Sequence, residues 1–199
     1  EILAGEVPVE ALTDGCPVYV RQGEEPPHYK EAQAYDIDSL PRYDLQEALL
    51  KLLASPNITS KKWVYRQYDY QVMTNTTVIP GHGDAAVLRI KNTLKGVAFT
   101  TDCSSRMVYL DPYRGGMLAV CEAARNLACC GARPLALTNC LNFGNPEKPY
   151  IYWQMQNAIQ GMADAARALN TPVVSGNVSL YNESRSAQVF PTPVVGMVG

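Results

Sequence analysis

Two helix-period runs, each leading directly into a short apolar strand-like run, constrain this chain more than any other feature. The first follows Asp111-Pro-Tyr-Arg-Gly-Gly116 and carries Leu118, Cys121, Ala124, Leu127 and Ala128 on one face. It stops at Gly131, with Pro134 beyond, and a strand is expected near Pro134 to Thr138. The second places Met155, Ala158, Ile159, Met162, Ala165, Ala166 and Leu169 on its core face and closes at Asn170 and Pro172, before a strand from Thr171 to Ser175. A final strand is expected over Pro193 to Val198, and Asp84 to Ile90 with Gly96 to Thr101 reads as a β-hairpin. Strands alternating with two helices specify a layered α/β (α+β) domain, a sheet with its helices on one face.

The amino-terminal part is different in kind. Residues 1 to 43 are rich in turn formers and poor in periodicity; Gly5 to Val9 and Pro17 to Arg21 read as edge strands, the tail of a preceding domain followed by a linker. Asp44-Leu-Gln-Glu47 is a capping-box-like start for an amphipathic helix carrying Leu45, Ala48, Leu49, Leu52 and Leu53. Residues 44 to 199 are expected to be one domain. The chain opens on Glu1 rather than Met and stops on Val198-Gly199, the expectation for a piece of a longer protein.

Composition excludes several classes. A formal net charge of −2 gives no electrostatic footprint for nucleic acid or an anionic membrane. No apolar run reaches the roughly 20 residues of a membrane span, and there is no signal peptide. Four Asn-x-Ser/Thr sites, at Asn57, Asn75, Asn177 and Asn182, fit the N-glycosylation acceptor pattern, but a loose pattern without a secretory signal is expected by chance. Six cysteines show no CxxC spacing; Cys121, Cys129 and Cys130 are expected to pack as small hydrophobes in a reducing cytoplasm. With only His28 and His82 available, neither a zinc site nor a Ser/His/Asp or Cys/His nucleophilic arrangement can be assembled.

Three loops follow expected strands: Thr101 to Gly116, Thr138 to Pro149, and Ser175 to Glu183. In layered domains, ligands gather where loops leave strand ends. Asp102 and Asp111 can hold a hard cation or serve as turn aspartates. Gly115-Gly116 can receive a phosphate on free N–H groups or simply begin a helix tightly. Pro80-Gly-His-Gly-Asp84 reads better as a turn than as a ligand loop. Asn139 and Asn177, each after an expected buried strand, offer an amide to Mg²⁺ or to a ligand, or else cap a turn.

The ordered words are more specific than these features. They are Ser55-Pro-Asn-Ile58, Trp63-Val-Tyr-Arg-Gln-Tyr-Asp69, Gly83-Asp-Ala-Ala-Val-Leu-Arg-Ile90, Val108-Tyr-Leu-Asp-Pro-Tyr113, Glu122-Ala-Ala-Arg-Asn126, Cys140-Leu-Asn-Phe-Gly-Asn-Pro146, Ser175-Gly-Asn-Val-Ser-Leu-Tyr-Asn-Glu183 and Pro191-Thr-Pro193. In this order they closely resemble the second half of the PurL-type synthetase subunits of phosphoribosylformylglycinamidine synthase, from about Ser55 to the end. Those subunits belong to the aminoimidazole ribonucleotide synthetase-like superfamily.

The resemblance implies an N-terminal domain of that type, whose sheet pairs with a second copy into a barrel. It implies an ATP-dependent carbon–nitrogen ligase of purine biosynthesis, converting formylglycinamide ribonucleotide and ammonia to the amidine through an iminophosphate, with Mg²⁺. Implied partners are a glutaminase subunit, a small bridging subunit and the first half of the same chain, with no nucleic acid or membrane. Residue by residue, Asn139 and Gly176 match ATP contacts, Asn177 a Mg²⁺ ligand and Ser179 a substrate contact. The family's catalytic histidines lie outside this segment, so the isolated segment is expected to carry no catalytic residue, to be inactive, and to self-pair into a homodimer. At two places the chain departs: Asn139 stands where the family usually has aspartate, and Cys103-Ser-Ser105 replaces an expected Asn-containing stretch. Two other readings remain at this point, a superfamily relative acting on another acceptor (a selenophosphate synthetase or a thiamine-phosphate kinase) and a non-catalytic pairing half with a degenerate nucleotide site.

Overall fold

The computed structural model describes residues 2–199. The amino-terminal third is a series of short helices: α1 (Val9–Leu12), α2 (Pro27–Gln33), α3 (Leu45–Ala54) and α4 (Lys62–Tyr65), with 3₁₀ turns at Ile37–Ser39 and Val72–Thr74. Neither Gly5–Val9 nor Pro17–Arg21 is a strand. No ladder partner reaches them among the described residues, and a lone strand leaves its backbone groups unpaired. Asp44 caps α3 as its sequence requires, its carboxylate accepting the Glu47 N–H at 2.8 Å. Yet α3 buries no residue, and its leucines face outward.

The remainder is one six-stranded sheet with two long helices. In chain order these are β1 (Thr76–Val78), β2 (Ala86–Arg89), β3 (Gly96–Asp102), α5 (Ser105–Leu110), α6 (Pro112–Cys129), β4 (Ala136–Asn142), α7 (Pro149–Leu169), β5 (Val173–Ser179) and β6 (Thr192–Val198). The strand order is β1-β2-β3-β6-β4-β5. Every neighbouring pair is antiparallel except β4 and β5, which α7 joins as a parallel crossover. β6, last in sequence, lies in the middle, and β5 is an edge.

Side chains alternate across the strands, so one face of the sheet holds Ala98, Val195, Met197, Leu137 and Leu141, all buried. α6 lies against β3 and β6 on this face, and α7 packs along α6. The contact between the two helices is made by small residues. A Cβ on Gly116 would collide with the Ala158 carbonyl of α7, and one on Gly161 with the Tyr113 carbonyl of α6. That reciprocal approach turns α6 relative to the face expected from its large apolar residues. Ala119, Val120, Ala123 and Leu127 are buried, while Leu118 is 40% exposed. Gly115 and Gly116 are therefore helix-packing residues and not a phosphate loop; the Gly115 N–H already donates to Asp111 O inside the helix. Asp111 is the helix cap, its carboxylate accepting the Arg114 N–H at 3.0 Å.

The cysteines are all free thiols. Cys121 and Cys130 pack against the core as expected, but Cys129 is exposed because it falls on the outer side of the last turn of α6. Cys130 Sγ lies 3.2 Å from the Ala85 N–H, tying the end of α6 to the start of β2. Pro80 to Asp84 is a turn, with Gly81 at φ +82°. No helix among the described residues is long and apolar enough to cross a membrane.

Among the described residues no helix packs on the opposite face of the sheet. Phe99, Thr101, Thr138, Val174, Gly196 and Val198 line a shallow groove across it.

Candidate functional site

The four residues singled out in the sequence come together at the β4–β5 edge of the sheet, and they divide between its two faces. β4 runs on to Asn142, so Asn139 lies inside a strand and not in a loop after it; Asn177 likewise lies inside β5. Nor is β5 buried. Val173, Val174 and Val178 are each about half exposed or more, because an edge strand has a neighbour on one side only.

Register settles which residues share a face. Asn139 is opposite Gly176 on one side and Val195 on the other, and Val195 is opposite Asp102. Asp102, Val195, Asn139 and Gly176 thus form one row across four strands on the helix-bearing face. The next row, Val194, Cys140 and Asn177, points to the open face, and so does the row of Thr192, Asn142 and Ser179.

Asn139 and Gly176 are in direct contact. A Cβ on Gly176 would collide with Asn139 Oδ1 and sit 3.0 Å from the Asn139 carbonyl oxygen. The space left by the missing Cβ is filled by the neighbouring amide, so the glycine is needed for this contact before any ligand arrives. On the open face, the Asn177 side chain makes no hydrogen bond among the described residues and is exposed, leaving its carbonyl oxygen free for a cation or a ligand donor. Ser179 Oγ lies 3.1 Å from Asn182 Oδ1.

A second polar group sits at the far end of the Asp102–Gly176 row. Asp102 accepts the Thr100 hydroxyl and the Asn126 amide, each at 2.8 Å. Burial, then the negative charges of Glu122 and Asp102, push the Cys103 thiol up to about 11. The thiolate is the nucleophile, so Cys103 should react with iodoacetamide at pH 8 at least about tenfold more slowly than exposed Cys16 and Cys129. Site-resolved mass spectrometry of the alkylated chain measures this. In the sequence Glu122 and Asn126 stand only as the ends of a matching block, with no role attached. Their spacing of one helical turn, facing the end of β3, was the available signal.

The cation question follows from the donor set. Among the described residues no three His, Cys, Asp or Glu side chains form a metal-sized group. Asn177 brings one neutral oxygen, and the adjacent open-face strand positions bring no carboxylate. Mg²⁺ typically takes one or two protein oxygens and completes its shell with substrate phosphates and water. The residues present fit such a shared site and do not fit an all-protein cage.

The architecture defines a mixed α/β domain whose candidate site is built on a sheet edge between two loops. Residues 82–199 match the family model "AIR synthase related protein, N-terminal domain". The chain belongs to that family. It is 58% identical over 198 residues to phosphoribosylformylglycinamidine synthase subunit PurL of Moorella thermoacetica, covering 99% of this chain and 27% of the relative. Among solved structures it is similar to T. maritima PurL complexed with AMPPCP, with a TM-score of 0.66 and 34% identity over 98% of this chain and 30% of that one. T. maritima PurL complexed with FGAR has a TM-score of 0.60 and 40% identity, covering 71% of this chain and 23% of that one. The chain therefore spans about a quarter of the length of the curated relative it matches.

Proposed function

We propose that this chain is the N-terminal, nucleotide-binding domain of the second half of a PurL-type synthetase, contributing to an ATP-dependent ligase that makes formylglycinamidine ribonucleotide from formylglycinamide ribonucleotide and ammonia. The observation that carries this reading is the meeting of Asn139, Gly176, Asn177 and Ser179 at one sheet edge, in a domain of the matching family. On this reading residues 1–43 lead in from a preceding domain and residues 44–199 form the domain itself.

Chemically, the carbonyl oxygen of the glycinamide group attacks the γ-phosphorus of ATP, the bond from that phosphorus to ADP breaks, the amide gives up its N–H proton, and an iminophosphate forms at the former carbonyl carbon. Ammonia then adds at that carbon, and the C–O bond breaks to release inorganic phosphate and leave the amidine. Such a transfer needs positioning and charge compensation more than a protein nucleophile, which agrees with a site made of amides, a hydroxyl and glycine. Mg²⁺, when bound, offsets the charge that builds on the transferring phosphoryl group. Asn177 supplies one of its oxygens, Asn139 and Gly176 meet the nucleotide, and Ser179 meets the ribonucleotide. The glutaminase and small bridging subunits, as ammonia suppliers, belong to this proposal, as does a cytoplasmic setting.

The open sheet face, with Phe99 45% exposed, is the surface that would pair with the first half of a full-length chain. Without that half, the 199-residue chain is expected to self-pair into a homodimer through the same face. Light scattering at high protein concentration checks this, and a monomer throughout would remove the expectation.

The activity test uses a chain of the relatives' full length carrying these residues, as found and with Asn139→Asp, assayed for ADP release with ATP, Mg²⁺, formylglycinamide ribonucleotide and ammonia. Release that depends on the ribonucleotide is expected from both forms. The loss of one charge-assisted hydrogen bond at Asn139 should weaken nucleotide binding by no more than about 1–3 kcal/mol. No release from either folded form would favour a non-catalytic pairing domain instead.

A further inference from the structure

Ser179 is not free to turn. Its hydroxyl faces Asn182 Oδ1 at 3.1 Å, and the direction of that bond is fixed by the other end of the same amide. Asn182 Nδ2 donates to the Phe143 carbonyl at 3.0 Å and to the Ser179 carbonyl at 2.8 Å. With both amide hydrogens directed at carbonyls, Oδ1 is the atom that faces the serine. An amide oxygen carries no hydrogen, so the serine donates.

The surrounding backbone holds Asn182 in place. Phe143 N–H donates to Ser179 O at 3.1 Å, Asn182 N–H to Phe143 O at 3.2 Å, and Tyr181 N–H to Gly144 O at 3.0 Å. Between Ser179 and Asn182 the chain turns through Tyr181 at φ +60°, a left-handed conformation that disfavours any residue with a Cβ. Glu183 then closes the turn onto the loop after β4. Its carboxylate accepts the Asn145 N–H at 3.2 Å and Lys148 Nζ at 3.0 Å. Hydrogen bonding from Lys148 holds the Glu183 carboxyl below its ordinary value, and the same bond raises the Lys148 ammonium.

We propose that Asn182 is a positioning residue of the ribonucleotide site. It fixes the Ser179 hydroxyl in one orientation, with the remaining lone pairs toward the open face, and it locks together the loops that follow β4 and β5. The inference rests on the reading of Ser179 as the substrate contact. Asn182 acts through Ser179 and touches no substrate itself.

The test measures KM for ATP and for formylglycinamide ribonucleotide, with kcat, in the full-length chain carrying Ser179→Ala, Asn182→Ala, both together, or Asn182→Asp. Ser179→Ala and Asn182→Ala should each raise KM for the ribonucleotide by about tenfold and leave KM for ATP unchanged. The double variant should be no worse than Asn182→Ala alone, since both changes remove one interaction. Asn182→Asp keeps the acceptor for Ser179 and loses the two donated hydrogens, so its KM should fall between wild type and alanine.

A purely structural asparagine would lower the melting temperature and impair both substrates alike, which overturns the proposal. Unchanged KM in Ser179→Ala overturns the underlying reading of Ser179. Raised KM in Ser179→Ala with wild-type KM in folded Asn182→Ala overturns the positioning role alone. If Asn182→Ala does not fold, Asn182→Asp decides: a raised KM confined to the ribonucleotide supports the role, and wild-type values for both substrates overturn it.

Discussion

Gly161→Ala should be among the most damaging single-methyl additions in this chain. The new Cβ would collide with the backbone carbonyl of Tyr113 and come within 2.8 Å of its carbonyl carbon. A flexible side chain can swing aside, but a helical carbonyl cannot, so α6 and α7 would have to separate. Gly116 and Ala158 make the same kind of approach one turn along, and separation would open that contact too. Overpacking of this kind costs about 1–3 kcal/mol and sometimes more. For a chain of this size that corresponds to a fall in melting temperature of roughly 2–12 °C. Since α7 joins β4 to β5, the damage should reach the candidate site as well. Thermal unfolding followed by circular dichroism measures it; an unchanged midpoint would mean that the two helices are not packed backbone to backbone.

Gly176→Ala should also destabilise the chain, with a different signature. Its Cβ meets a side-chain oxygen of Asn139 and, at 3.0 Å, the Asn139 carbonyl. The amide can rotate away, whereas the carbonyl can shift only by straining the β4–β5 ladder. A destabilisation of about 1–2 kcal/mol is expected, with the Asn139 side chain displaced from its place over the strand. Asn139→Ala in the same chain removes the first collision and should restore part of the loss, so the two changes should not add. Denaturant unfolding of the two single variants and the double variant measures the coupling. Strict additivity would show that the two residues do not share this space.

The layered α/β plan was legible because periodicity reports it directly. Runs of period 3.6 around Leu127 and Met162 and of period 2 around Val195 each find their place in the structure, and so does the Asp44 cap. Where the reading slipped, tertiary contact had overridden a local rule. Size and apolar character point Leu118 inward. The helices instead meet along Gly116 and Gly161, where small size allows the closest approach. The valines of β5 look buried in sequence, but burial on a strand depends on its position in the sheet, and β5 is the edge. Gly5–Val9 and Pro17–Arg21 alternate like strands and find no ladder.

The candidate site was legible in composition and not in geometry. The sequence placed Asn139, Gly176, Asn177 and Ser179 at strand ends, and the resemblance attached roles to them. It could not show that Asn139 lies inside its strand, nor that its amide occupies the space above Gly176. Both depend on the pairing of β4 with β5, which are separated by the whole of α7. Asn182 was visible only as a chance glycosylation pattern and as one letter of a matching block. Its bonds to Phe143 and Ser179 appear once the two loops are brought together.

The central claim is that one sheet edge serves two ligands that meet beside it, the nucleotide held by Asn139 and Gly176 and the ribonucleotide by Ser179, with Asn177 placed to hold Mg²⁺ at the transferring phosphate. The most direct measurement compares KM for ATP and KM for formylglycinamide ribonucleotide in full-length chains carrying Asn139→Ala or Ser179→Ala. Asn139→Ala should raise KM for ATP by about tenfold and spare the ribonucleotide, and Ser179→Ala should do the reverse. Two folded variants that shift both constants equally, or neither, would contradict the account.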